Sequence, residues 1–177
     1  MDAFMASSPS RPQKAAVIPY VKQRLYTAMA ASGLFIFACA MPAMHVLTVS
    51  SHYRGAERDI MGFELLLSGW LGVFGMNVGW YANPLLALAL FLLVLGADRG
   101  ALVAGAIAAV VGVSSLVWFV HPMPADEAGV NYSELMYPSI GFVCWMLSLV
   151  IVPLVTFALS SRRKAAEAPA PSPEVTS

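Results

Sequence analysis

The chain has 177 residues, of which 59% are hydrophobic and only 11% are charged. Soluble domains carry about 25% charged residues, so this composition indicates a protein whose surface mostly faces lipid. The charges of ten basic and ten acidic side chains cancel, so the formal net charge is zero. This removes any bulk electrostatic attraction to nucleic acid.

Four stretches are long and apolar enough to cross a membrane, namely residues 28–50, 78–97, 101–120 and 138–160. About 20 apolar residues in a helix span the hydrocarbon core. In lipid such a segment becomes helical, because its backbone groups have no water to bond. The sequence therefore predicts an all-α, four-helix integral membrane domain over residues 25–161. The tails at 1–24 and 162–177 are expected to be disordered.

The basic residues predict the orientation of these spans, since Lys and Arg near a span stay preferentially in the cytoplasm. With four spans, eight of the ten fall on one side, and both termini are then cytoplasmic. The eight are Arg11, Lys14, Lys22, Arg24, Arg99, Arg162, Arg163 and Lys164. The two longer loops, which carry Arg54 and Arg58, are placed outside.

The first span contains Pro42, which predicts a bend near residues 38–42 because proline removes one helix hydrogen bond. His45 lies in the same span, near its outer end, and is expected to bond a neighbouring backbone or hydroxyl group. Cys39 and Cys144 are interpreted as packing residues. A disulfide between them is the alternative if the first and fourth helices touch.

Residues 60–76 form a further apolar segment, IMGFELLLSGWLGVFGM. A fifth span here would leave only residues 84–97 for the next helix, about 21 Å and too short to cross the core. We therefore predict an interfacial or re-entrant helix on the outer face. It is either a lid packed on the bundle or a contact surface for lipid or a partner.

The motif GWLG at residues 69–72, followed by GWYANP at residues 79–84, resembles a segment of small, uncharacterised bacterial inner-membrane proteins. The resemblance implies a bacterial inner-membrane setting and carries no activity with it. The residues themselves indicate a helix start, with Asn83 as the cap and Pro84 at the first helical position.

A tight hairpin joins the second and third spans. Gly96 is suited to the left-handed conformation that ends a helix, and Asp98 is suited to cap the next one. The third span then places small residues every four positions, at Gly100, Ala104, Ala108 and Gly112. This spacing lets helix backbones approach closely. We expect packing inside the bundle, with a dimer face as the alternative.

Aromatic residues are expected to anchor the bundle at the outer membrane boundary, because Trp and Tyr favour the headgroup level. The candidate anchors are Trp70, Trp80, Tyr81, Trp118 and Tyr137.

Candidate chemistry is sparse. The interiors of the four spans contain no Asp, Glu, Lys or Arg, which disfavours an ion-coupled transporter. No nucleophile, phosphate-loop or dinucleotide motif is found. Imidazole and carboxylate groups in the outer loops could bind a divalent metal, although their spacing matches no known motif. These candidates are His52, Glu57, Asp59, His121, Asp126 and Glu127.

These features predict a protein without catalytic residues or cofactor, acting as an accessory or scaffold subunit that binds lipid or a membrane partner. The expected contacts are the lipid bilayer and either a membrane protein or a second copy of the chain. One alternative is a periplasmic-side ligand or metal sensor that uses the outer-loop His, Asp and Glu residues. A third is a small-solute permease, which the lack of polar residues along the spans argues against.

Overall fold

The structure, a computed structural model, describes residues 20–50, 53–124 and 131–167. In this part of the chain five α-helices accompany a small antiparallel sheet. The helices are α1 (Val21–Ala40), α2 (Gly62–Ser68), α3 (Ala82–Val94), α4 (Asp98–Val113) and α5 (Ile140–Glu167). The strands are β1 (Pro42–Ser50), β2 (Tyr53–Met61), β3 (Met123–Pro124) and β4 (Asn131–Pro138). Short 3₁₀ helices cover Gly69–Gly75, Gly79–Tyr81 and Ser114–Phe119.

Four helices form a bundle in which α5 packs against both α1 and α4, and α3 packs against α4. Its core is built from buried alanine, leucine and valine side chains, including Ala31, Leu86, Leu93, Leu149 and Val152. We call the end with Val21 and the turn between α3 and α4 the hairpin end. The opposite end, where α1 stops at Ala40 and α5 begins at Ile140, is the sheet end.

Small residues on α4 bring the helices into close contact. Ala104, Ala108 and Gly112 are buried on its packed face. A Cβ atom added at Gly112 would lie 2.5 Å from Leu149 of α5. Gly100 is half-buried, and an added Cβ there would lie 3.1 Å from Leu92 of α3. The small-residue face of α4 therefore packs within the chain.

The prediction that residues 28–50 form one helix is wrong. Helix α1 ends at Ala40, Met41 is extended at φ −104° and ψ 157°, and β1 begins at Pro42. Proline disfavours the helical conformation of the residue before it, and its own nitrogen has no hydrogen to donate. The sequence beyond it, His45–Val49, includes β-branched valines and threonine, which favour a strand.

The sheet has the strand order β2-β1-β4-β3, with antiparallel pairing throughout. Side chains alternate between its two faces. Met44 and Val46 face the bundle and pack with Leu135, Trp118 and Phe142. His45 pairs with Asp59 on β2 and with Tyr137 on β4, so these residues lie on the opposite face. The expectation of an all-α fold is therefore wrong for this region.

Residues 62–75, which comprise α2 and the following 3₁₀ helix, form a segment that we call the lid. It packs against the end of α1, where the Gly62 N–H donates to the Met41 carbonyl at 3.0 Å. The sequence predicts a helical segment here. Residues 60 and 61, however, belong to β2.

The ordered helices extend into both stretches that the sequence assigned to disordered tails. Helix α1 begins at Val21, and α5 continues to Glu167. Residues 1–19 and 168–177 lie outside the described part of the chain.

Two helices in the described part are long and apolar enough to cross a membrane. They cover Asp98–Phe119 and Ile140–Arg163, with mean hydropathies of 2.2 and 2.5. The apolar helix Gly79–Val94 is shorter. Helix α1 has 20 residues and carries Lys22 and Arg24 close to its start.

Candidate functional site

A cavity of about 860 Å³ lies between the sheet, the lid and the sheet end of the bundle. It is near the upper end of the range of about 300–1,000 Å³ that is usual for small-molecule sites. The bundle-facing side of β1, including Val46 and Thr48, forms one wall. The lid forms a second wall through Leu65 and Leu71, and Phe35 of α1 lines the floor.

Three tryptophans line the cavity, and each indole N–H donates a hydrogen bond to another element. Trp80 donates to the Leu66 carbonyl of the lid at 2.8 Å. Trp118 donates to the Ser133 carbonyl of β4 at 2.9 Å. Trp145 of α5 donates to Oδ1 of Asn83 at 2.8 Å. The rings therefore connect the lid, the sheet and the bundle around the cavity.

The prediction that Asn83 caps α3 is wrong. The residue before the helix is Tyr81, which makes no side-chain capping bond. The Asn83 side chain instead receives the Trp145 indole of α5. A buried indole N–H needs an acceptor, and this requirement comes from a helix 62 residues away in the chain.

A buried asparagine that follows the lid, Asn77, holds the chain against the 3₁₀ helix Ser114–Phe119. Nδ2 of Asn77 donates to the Ser115 carbonyl at 3.3 Å, and its Oδ1 accepts from the Gly79 N–H at 3.0 Å. Gly79 is packed so tightly that an added Cβ would lie 2.6 Å from Cβ of Ser115. This wall of the cavity is consequently fixed by hydrogen bonds and by close backbone contact.

Arg58 of β2 and Glu64 of α2 form an ion pair at the edge of the cavity, with Nη2 and Oε2 2.7 Å apart. Among the described residues that line the cavity, these two are the charged ones. Their charges cancel. The remaining polar groups of the lining include the hydroxyls of Thr48 and Ser133. The cavity is thus amphipathic and has no net charge from these residues.

The lid also presents an apolar surface to its surroundings, and Leu71 and Phe74 belong both to this surface and to the cavity wall. Phe74 of the lid is 82% exposed, and Met76, the residue directly after the lid, is 85% exposed. Other exposed lid side chains are Phe63, Leu67, Trp70, Leu71 and Val73. Exposed apolar side chains concentrated in one short segment are typical of surfaces that contact lipid or another protein.

The face of the sheet turned away from the bundle carries an ionisable cluster. Nδ1 of His45 lies 2.7 Å from Oδ1 of Asp59, and its Nε2 lies 3.5 Å from Oε2 of Glu57. The ring stacks on Tyr137 with a centroid separation of 4.7 Å. The hydrogen bond to Asp59 raises the pKa of His45 above its ordinary value, burial opposes the rise, and Glu57 adds to it.

The expectation that His45 lies in a membrane span and bonds a backbone or hydroxyl group is wrong. It is a strand residue that binds two carboxylates. The available signal was the proline at Pro42 followed by the β-branched Val46, Thr48 and Val49, residue types that favour a strand.

At the hairpin end, Arg24 of α1 binds Asp98 of α4. Both oxygens of Asp98 accept from Nη2 of Arg24, at 2.8 and 2.7 Å, and Nε donates to Oδ1 at 3.1 Å. Arg24 is 2% exposed, and Nη1 has no hydrogen-bond partner among the described residues. Asp98 therefore does not cap α4, whose preceding residue is Ala97. Gly96, by contrast, has φ 80° as predicted.

Of the predicted metal ligands, the described structure brings together Glu57 and Asp59, which both contact His45. His121 is exposed. His52, Asp126 and Glu127 lie outside the described residues. Within the described ranges, no group of three or more His, Cys, Asp or Glu side chains is arranged to hold a metal ion. Cys39 and Cys144 are free thiols, so no disulfide joins α1 to α5.

The predicted membrane anchors occupy different environments. Trp70, Tyr81 and Tyr137 are exposed, and Trp80 is half-buried. Trp118 is 8% exposed beneath the sheet, which is not the position that an interfacial anchor requires.

Comparison with known proteins identifies no relative: no family model, curated protein or solved structure matches this chain.

Proposed function

We propose that this chain is an integral protein of a bacterial inner membrane in which α1, α3, α4 and α5 cross the bilayer. Both termini are then cytoplasmic, and the sheet and lid lie on the outer side. The observation that carries this proposal is the low burial of the two longest apolar helices. Only 33% of the apolar window in Asp98–Phe119 and 39% of that in Ile140–Arg163 are buried.

The exposed surface of these helices supports a lipid environment. Large apolar side chains point outward along α4 and α5, namely Val103, Ile107, Val110, Val113, Ile140, Val143, Leu147, Leu154 and Phe157. Full burial of such a side chain stabilises a protein by about 1.5–3 kcal/mol, and in water these side chains would forgo a large part of that gain. Soluble monomers rarely expose apolar patches of this extent.

The other two helices, α1 and α3, are shorter. In this proposal they also cross the bilayer, because they belong to the same bundle. Helix α1 has 20 residues, which corresponds to about 30 Å. The apolar helix Gly79–Val94 is shorter than the hydrocarbon core requires. Local thinning of the bilayer accommodates a short span at modest cost.

Within the membrane we propose a non-enzymatic role, as an accessory or scaffold subunit that binds lipid or a membrane partner on its outer side. The amphipathic cavity and the exposed lid surface support this role, because both offer apolar contact area beside a few polar groups. The partner is a membrane protein or a second copy of the chain, and no nucleic acid is involved.

The location is tested with reporter fusions after residue 1 and at residue 177, together with a third in residues 125–130. We expect both termini in the cytoplasm and the loop outside. Termini on opposite faces of the membrane would contradict the four-span arrangement, and release of the chain by alkaline carbonate would contradict its integral location.

The role is tested by purifying the chain from native membranes in mild detergent and identifying what comes with it. The variant Phe74→Ser changes the lid surface, and Phe91→Ser on α3 is the matched control because Phe91 is also exposed. We expect Phe74→Ser to lose a reproducible partner or lipid that Phe91→Ser keeps. If the native chain and both variants purify as monomers without a reproducible partner or lipid, the result would count against the role.

A further inference from the structure

We infer that the cavity beneath the sheet and lid binds one amphiphile of lipid type whose polar head carries no net charge. This rests on the proposed function, because the membrane is what supplies such a ligand. The head lies against the Arg58–Glu64 pair and the hydroxyls of Thr48 and Ser133. The hydrocarbon chain lies along the aromatic floor.

The shape and chemistry of the lining favour an amphiphile over a small polar solute. Phe35, Phe142 and Trp145 lie on the floor, and Leu65 and Leu71 lie on the lid side. An acyl chain gains free energy with each CH₂ group that it buries against such walls. A polar solute would leave these aromatic and aliphatic walls without a favourable partner.

The electrostatics of the lining favour an uncharged or zwitterionic head. Arg58 and Glu64 are already paired at 2.7 Å. An anionic head that binds Arg58 must compete with Glu64, and it then lies beside an unpaired carboxylate. A zwitterionic head presents both signs, so it can contact both side chains while the pair remains intact.

The lid provides a route from the bilayer to the cavity. Leu71 and Phe74 line the cavity and are also exposed, so the cavity wall and the apolar lid surface share these residues. An acyl chain that approaches along the lid meets a continuous apolar path.

The four tryptophans make this binding measurable. Trp80, Trp118 and Trp145 line the cavity, whereas Trp70 is exposed on the lid. In a Trp70→Phe background the remaining fluorescence comes from the cavity. The probe is lysophosphatidylcholine with a brominated acyl chain, added to the purified protein in detergent, because bromine quenches tryptophan on contact.

A matched pair of variants separates cavity binding from general lipid contact. Thr48→Phe places a ring where the polar head is assigned, and Leu47→Phe places the same ring on the opposite face of the strand. Phenylalanine is well tolerated in strands. We expect Leu47→Phe to retain the quenching and Thr48→Phe to lose most of it. Equal quenching in the two variants overturns the inference.

The charge of the head is tested without altering the cavity shape. Brominated lysophosphatidylglycerol, which is anionic, is expected to bind about fivefold more weakly than the zwitterionic probe. Glu64→Gln leaves Arg58 unpaired and should remove this difference. Equal or stronger binding of the anionic probe to the Trp70→Phe chain overturns the assignment of an uncharged head.

The outcomes also separate this ligand from the proposed function. If neither probe quenches the cavity tryptophans while the chain stays integral and keeps its partner, the ligand assignment fails and the membrane role stands. If carbonate releases the chain from membranes, the membrane role fails.

Discussion

At the hairpin end of the bundle a buried ion pair joins α1 to α4, whereas the sheet end encloses an amphipathic cavity. Arg24 is almost fully buried and binds both oxygens of Asp98. At the sheet end, by contrast, the ion pair at the cavity edge joins an exposed Arg58 to a half-buried Glu64. A desolvated charge tolerates no loss of its partner, whereas a hydrated one does. The hairpin end is therefore the end whose stability depends more strongly on an ion pair.

The largest effect is expected from breaking the buried pair. Asp98→Asn leaves the Arg24 charge uncompensated, and removal of one partner of a buried pair typically costs about 3–5 kcal/mol. The measurement is the free energy of unfolding in mild detergent, followed by tryptophan fluorescence. Arg99→Gln is the matched control, because Arg99 lies next in the chain and is exposed. Equal losses in the two variants would show that the pair does not hold the hairpin end.

A smaller loss is expected at the sheet end, where α1 meets the lid. A Cβ atom at Gly62 would collide with the carbonyl oxygen of Ala38, which is backbone and cannot move aside. Gly62→Ala should therefore cost about 1–3 kcal/mol of stability. Gly33→Ala is the control on α1, because an added Cβ there meets nothing within 4 Å. We expect this control to be neutral or stabilising. A neutral Gly62→Ala would contradict the close contact.

A still smaller effect is expected from detaching the lid. Trp80→Phe removes the indole N–H that binds the Leu66 carbonyl, at a cost of about 1 kcal/mol. Hydrogen exchange of the lid amides should become faster, while exchange in α4 stays unchanged. Trp70→Phe is the control, because Trp70 is exposed. Unchanged lid exchange in Trp80→Phe would show that this bond does not secure the lid.

The smallest effect is expected from the His45 cluster, and it depends on pH. The carboxylate of Asp59 raises the pKa of His45 in the folded protein. The stabilisation is therefore fully present below the ordinary histidine pKa of about 6.5, and it is lost as the pH rises through the raised value. We expect the melting temperature of the native chain to fall over this interval, and His45→Gln to flatten the fall.

Asp59→Asn provides a second test, since it removes the carboxylate whose hydrogen bond is the largest cause of the raised pKa of His45. An NMR titration of the His45 ring should then move toward the ordinary value. A titration that is identical in the native chain and in Asp59→Asn would contradict the pairing.

Local chemistry made several elements of the fold predictable. The left-handed Gly96, the short link between α3 and α4 and the small residues of α4 follow from spacing and residue type alone. The lid could be recognised as a helical segment that does not span the membrane, because a span there would leave too short a helix after it. These features depend on neighbours within a few residues in the chain.

The sheet and the ion pairs were not predicted, because long-range contacts decide them. Val46–Val49 is apolar enough to continue a membrane helix, and only its pairing with β2 and β4 makes it a strand. Arg24 and Asp98 are 74 residues apart in the chain. In the sequence alone, Arg24 indicates the orientation of the first span, and Asp98 is suited to cap a helix. Their partnership exists only once α1 packs beside α4.

By itself the sequence determined that long apolar helices dominate this protein and where the chain turns tightly between them, because hydrophobicity and backbone preference are properties of each segment. Tertiary structure alone decided that Pro42 starts a sheet, that Trp80, Trp118 and Trp145 surround a cavity, and that the charged groups meet in pairs. The physical reason is that polar groups must find partners when they leave water, and packing determines which partners lie within reach.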